Sequence, residues 1–202
     1  MKHIRYTLVD NKTNNPVSQA PARNGPKHPE GVVPTFDIQS TYASGVPDIY
    51  GIAEDDYIPE DWMQEVPEED FYIIMREEFK SRASARRREV ERGGYWINPE
   101  MFVRTDEDSQ NRLAQLATTI NNDPELQSVD FEFVPGQWAT IDTDTALMIG
   151  RTVSRHVQRC FSWCKEVHES LDAANTLEEI LPIVQSISSF VADDNPPAQT
   201  EE

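Results

Sequence analysis

His156, Cys160, Cys164 and His168 follow one another at steps of four in the stretch "RHVQRCFSWCKEVHES". Imidazole and thiolate are preferred zinc ligands, and a pair at i and i+4 on one helix can supply two of the four that a tetrahedral ion needs. Each step of four rotates about 40° around a straight helix, so the four residues cannot surround one ion without ligands from elsewhere. The same positions continue an apolar stripe through Ile149, Val153, Val157, Val167 and Leu171, where a free cysteine behaves as a small core residue. The expectation is a buried seam with reduced thiols and neither metal nor cofactor. A disulfide between Cys160 and Cys164 is disfavoured by the helix geometry.

Nucleophilic catalysis by either thiol would need an oriented base and a cleft, and the sequence carries no signal for them. The acidic stretches "EDDYIPED" and "PEED" lack the spaced Asp/Asn-Gly order of a calcium loop and read as solvated loop or helix surface. A non-enzymatic role is expected. The basic residues gather in one run: Lys80, Arg82, Arg86, Arg87, Arg88 and Arg92. One reading is the dipole-stabilised end of a solvated helix. The other is a docking face, centred on Arg86 and Arg87, for an acidic partner such as another copy's acidic segment. The formal net charge of -18 argues against a nucleic-acid partner, because phosphate backbones bind clustered positive charge.

These residues need elements to hold them. Ile4, Tyr6 and Leu8 alternate with polar neighbours before the Asn-rich "DNKTNNP", which predicts a hairpin with Val17 on its return strand. From Ala20 to Pro67 seven prolines interrupt short β-branched and aromatic runs, and a mean hydropathy of -0.62 leaves little apolar matter for a core there. This segment reads as an extended arm ordered on a partner, with Trp62 as an inserted anchor. Pro67 opens a helix that ends at Gly93 and Gly94, and Phe71, Met75 and Phe79 give it a narrow apolar stripe suited to another chain.

Further along, "YWINPEMFV" suggests two short strands, and Thr105 or Asp106 can cap a helix with Leu113, Leu116, Ala117 and Ile120 on one face. "VDFEFV", a Pro-Gly turn and "QWATI" form a hairpin, which runs into a long helix capped by Asp142 or Thr143. Trp138 is expected to pack on that helix near Val153 and Val157. Thr176 and Glu179 make a capping box for a last helix, in which Pro182 should cause a kink or restart.

Several of these motifs, in order, resemble an uncharacterised domain family of tailed bacteriophages and prophages encoded among tail and tail-fibre genes. The resemblance rests on Phe102 ahead of Thr105, Asp106, Ser109 and Gln110, then Gly136, Trp138, Ile141 and Asp142. It continues through Val153, His156, Val157, Gln158, Cys160 and Phe161 to Ala173, Ala174, Thr176, Glu178 and Glu179. Trp163 and Cys164 depart from the family pattern and make this helix more apolar. The start of the chain is similar, more weakly, to the starts of phage tail-associated proteins.

The fold expected is α+β. A β-containing Pro-rich arm (1–66) and a linking helix (67–92) precede a hairpin-plus-helices domain (93–191) and an acidic disordered tail (192–202). The resemblance implies a virion structural protein of the tail, in the baseplate or fibre-attachment region, or a tail-fibre assembly chaperone that leaves before maturity. Its partners would be tail or fibre subunits and further copies of itself, met through Trp62, Phe71, Met75, Phe79, Arg86 and Arg87. "KHIRYTLVD" after Met1 has no apolar h-region, and no run reaches the roughly 20 apolar residues of a membrane span, so synthesis in a host cytoplasm is expected.

Overall fold

The computed structural model describes residues 1–10, 13, 15–17, 26–38 and 47–191. The predicted acidic tail (192–202), much of the Asn-rich turn, and residues 20–25 and 39–46 of the predicted arm lie outside them. The chain is an α+β protein of eight strands and four helices among the described residues. No helix among these residues is long and apolar enough to cross a membrane. The chain divides into two units, Met1–Phe79 and Lys80–Glu202. The division falls inside the first helix rather than at the ends of that helix, as the sequence had suggested.

In the first unit β1 (Lys2–Tyr6), β2 (Val32–Ile38), β3 (Asp48–Ala53) and β4 (Gln64–Val66) form one antiparallel sheet in the order β2-β3-β1-β4. The predicted N-terminal hairpin is reduced to a bridge between Val9 and Pro16, with Val17 N–H donating to Leu8. The main partners of β1 are instead β3 and β4. Pro34 is tolerated because β2 is an edge strand with an irregular register between Pro34 and Phe36.

The described part of the supposed arm is therefore folded within its own chain. Strand alternation supplies both faces of the sheet with apolar residues. On one, Ile4, Tyr6, Val32, Ile49 and Ala53 pack with Leu8, Tyr57, Trp62 and Met63. On the other, His3, Phe36 and Tyr50 meet Phe71 of α1 (Glu68–Arg92), with ring centroids 4.4, 5.4 and 6.3 Å apart respectively. The narrow stripe thus has its partner at hand: Phe71, Met75 and Phe79 are all buried. The strands alone hold too little apolar matter for a core, and the helix makes up the difference by returning Phe71 and Phe79 to Phe36 of the sheet.

The second unit contains the rest of α1 and two hairpins, β5 (Tyr95–Asn98) with β6 (Met101–Val103) and β7 (Ser128–Val134) with β8 (Gln137–Asp142). Three more helices follow the expected caps: α2 (Glu107–Asn122), α3 (Thr143–Ala173) and α4 (Leu177–Ser189). Asp106 accepts from Ser109 N–H at 3.1 Å and Asp142 from Thr145 N–H at 2.7 Å. Thr176 and Glu179 cap each other reciprocally, and α4 continues through Pro182 without restarting. Gly136 provides the positive φ of 83° that the β7–β8 turn requires.

Val103, Leu113, Ile149 and Val153 form the core here, joined by Phe131, Phe133, Ile141 and Val157. The hairpin therefore packs on α3 through a different set of residues from the one expected. Phe131 pairs with Ala139, and Val129 with Ile141, on the core face; Trp138 pairs with Glu132 on the opposite face and is 65% exposed. With a two-residue repeat, Ile141 can face α3 only if Trp138 turns away.

Candidate functional site

The seam of α3 explains the four histidines and cysteines. Ile149, Val153, His156, Cys160, Cys164, Val167 and Leu171 are all buried. The C-terminal half of α1 runs antiparallel along this helix: Lys80 pairs with Asp172 at 2.6 Å, Ser84 lies 3.3 Å from His168, and Val90 lies opposite His156. Both imidazoles hydrogen-bond α1. His156 Nε2 donates to the Val90 carbonyl at 3.2 Å, and His168 Nε2 donates to the Lys80 carbonyl at 3.1 Å.

Donation through Nε2 leaves His156 Nδ1 as a bare acceptor, which is buried without a partner. Burial holds this imidazole below the usual histidine range, and so favours the neutral ring. Burial also pushes the Cys160 thiol up to about 11, far from the thiolate that a nucleophile or metal ligand requires. Among the described residues no group of three or more His, Cys, Asp or Glu side chains is placed to hold a metal ion. The seam serves to dock α1 on α3.

The six residues expected to meet partners fare differently. Phe71, Met75 and Phe79 are buried in their own chain, and Trp62 packs against the sheet. Arg86 donates from Nε and Nη2 to the Phe190 carbonyl at 3.1 and 2.8 Å, and pairs with Glu89. Arg87 pairs with Glu91 and lies 4.2 Å from the Phe161 ring centroid. Those guanidiniums are thus occupied in closing the end of α4 and covering α3. The docking face expected at Arg86 and Arg87 is engaged by this chain itself, because the helix that carries them is packed rather than free.

Two openings lie beside the hairpins, and a larger one of about 680 Å³ lies between α2 and α3. A cavity of about 250 Å³ between α2 and β7 has an apolar lining of Val103, Leu113, Leu116, Phe131 and Phe133. Arg104, Ser109, Arg112, Asp130, Glu132 and Trp138 complete its wall. Leu116 and Ile120, on the face of α2 predicted to be covered, are only half-buried, so the cavity is where that cover is incomplete. A second opening of about 540 Å³ lies between the two hairpins and includes Trp96, Met101, Phe102, Phe133 and Val134. Such apolar concavities with a few polar groups can take a side chain or a small ligand.

Sequence reasoning missed the exposed side of Trp138 and the contributions of Arg104 and Arg112. The irregular register between Glu132 and Val134 hides the answer: a regular two-residue turn would pair Trp138 with Phe133 on the core face, whereas the extra residue pairs it with Glu132. The arginines gave no signal, since each is isolated in sequence.

No curated protein and no solved structure matches the chain. A family model described as a domain of unknown function, DUF4376, matches residues 75–185, a range that begins in α1, takes in both hairpins and ends in α4. With more than half of its length matched, the chain belongs to the DUF4376 family.

Proposed function

We propose that the protein is a non-enzymatic structural component of a bacteriophage tail, in the baseplate or fibre-attachment region, that binds neighbouring tail or fibre subunits. The ordered motifs from Phe102 to Glu179 supply the tail setting through their resemblance. The observation that carries the binding role is Trp138, 65% exposed beside an open apolar cavity. Tryptophan is enriched at the centres of protein interfaces because it offers large area with little rotamer freedom to lose.

A tail-fibre assembly chaperone is the second reading, favoured by the net charge of -18, which suits a soluble holding protein. Mass spectrometry of purified particles separates the two. Stoichiometric peptides from this chain in washed virions are expected. Co-purification with fibre chains in the lysate, together with absence from finished particles, would transfer the assignment to the chaperone.

A further inference from the structure

The opening of about 680 Å³ between α2 and α3 is a groove whose apolar lining includes Ala114, Ala117 and Leu147. Gly150 forms part of it, and a methyl group built there would meet nothing within 4 Å, so the groove is open above the helix backbone at that point. Its charge is of one sign. Arg151 and Arg155 are the only charged side chains in the described lining, both are exposed, and neither has an ion-pair partner among the described residues. Asp108 and Asp144 precede the lining residues on their helices and form no part of it.

The chain itself holds a segment of the opposite sign. Residues 192–202, "ADDNPPAQTEE", carry Asp193, Asp194, Glu201 and Glu202 and no cation. The last described element delivers this segment close to the groove, because α4 doubles back along α3 and Phe190 stacks on Trp163. Trp163 stands eight residues beyond Arg155 and twelve beyond Arg151, about 12 and 18 Å along the helix axis. A chain of this length can span roughly 35 Å, enough to reach both arginines with a margin for passing around α3. Pro196 and Pro197 favour an extended backbone, which a groove accepts at low entropy cost. Tethering holds the segment at an effective concentration on the order of millimolar, at which weak surface ion pairs suffice.

We propose that residues 192–202 occupy the α2–α3 groove of their own chain, with their carboxylates on Arg151 and Arg155, and act as a built-in cover for that face. Trp138 is no part of this groove, so the outcome is independent of the assembly reading.

The experiment is paramagnetic broadening in the full chain, with a nitroxide on Ala198→Cys; Cys160 and Cys164 are buried and escape the label. The amide signals of Ala114, Gly150 and Ser154 should be nearly lost. Leu171, eight residues from Trp163 in the direction away from the groove, should keep its signal, whereas an undocked segment would broaden both sides alike. Arg151→Glu with Arg155→Glu should return the lost signals at unchanged melting. Neutralising the segment by Asp193→Asn, Asp194→Asn, Glu201→Gln and Glu202→Gln should do the same. No loss at Gly150, equal loss at Gly150 and Leu171, or loss that survives both sets of substitutions overturns the proposal and leaves the groove to a different protein. So does broadening of isotope-labelled, spin-free chains mixed with spin-labelled ones, which would make a second copy the occupant.

Discussion

Phe71 and Trp138 are both large aromatics on amphipathic elements, yet the first is fully buried and the second mostly in solvent. In the first unit a small sheet has both faces covered, one by α1 and the other by Tyr57, Trp62 and Met63. In the second, the β7–β8 hairpin has a core face on α3 and an outer face on which Trp138 is mostly exposed. The difference separates stability from recognition. Aromatics that complete a layer maintain the fold, whereas an aromatic left over after the layer is complete is available to something else.

The strongest way to break this comparison is Phe71→Ala. It should cost on the order of 3 to 5 kcal/mol, measured by urea unfolding, because several aromatic contacts are lost at once in a closed core. A loss under about 1 kcal/mol would mean that the helix stripe is not holding the sheet.

Thr105→Val comes next. Thr105 is fully buried, and its hydroxyl accepts from Gly94 N–H at 2.9 Å. Valine keeps the shape but orphans that donor, at a cost of about 1 to 3 kcal/mol. Hydrogen exchange should show Gly94 losing protection.

Acid provides a graded test. Burial lowers the pKa of both His156 and His3 in the folded chain. Below the ordinary value of about 6.5 the unfolded chain therefore takes up protons that the folded chain refuses. Stability contributed by the neutral rings is complete above that pH and declines as pH falls towards the folded values. Urea midpoints measured against pH should show the decline, and His156→Gln should reduce its slope.

The smallest expected change in stability sharpens the comparison most. Trp138→Ala should alter folding by no more than about 0.5 kcal/mol while impairing incorporation into particles. A large fall in melting temperature with normal incorporation would place Trp138 with Phe71 as a residue of the core.

Which parts of this arrangement were legible follows from the range of each signal. Asp142, Asp106 and the Thr176–Glu179 box act on amides within three residues, and their helices begin where those local patterns require. The α3 stripe was equally readable, since a helix repeats its buried side at fixed intervals. The first sheet was not, because β1 finds β3 across more than forty residues, and no local pattern records that pairing. Among the residues of the candidate site, Trp138 was misplaced by one strand phase. Arg86 and Arg87 were misread because charge density shows a cation and not its acceptor: a carbonyl at Phe190 and a carboxylate at Glu91.

Phe190 itself carries a practical consequence. Its ring stacks on Trp163 at 3.8 Å between centroids while its carbonyl receives two bonds from Arg86, so one residue fastens the end of α4 to both α3 and α1. A reporter fused beyond Val191 leaves that fastening whole. A stop codon at position 190 removes the ring and the acceptor together, and so marks the limit for trimming an expression clone at this end.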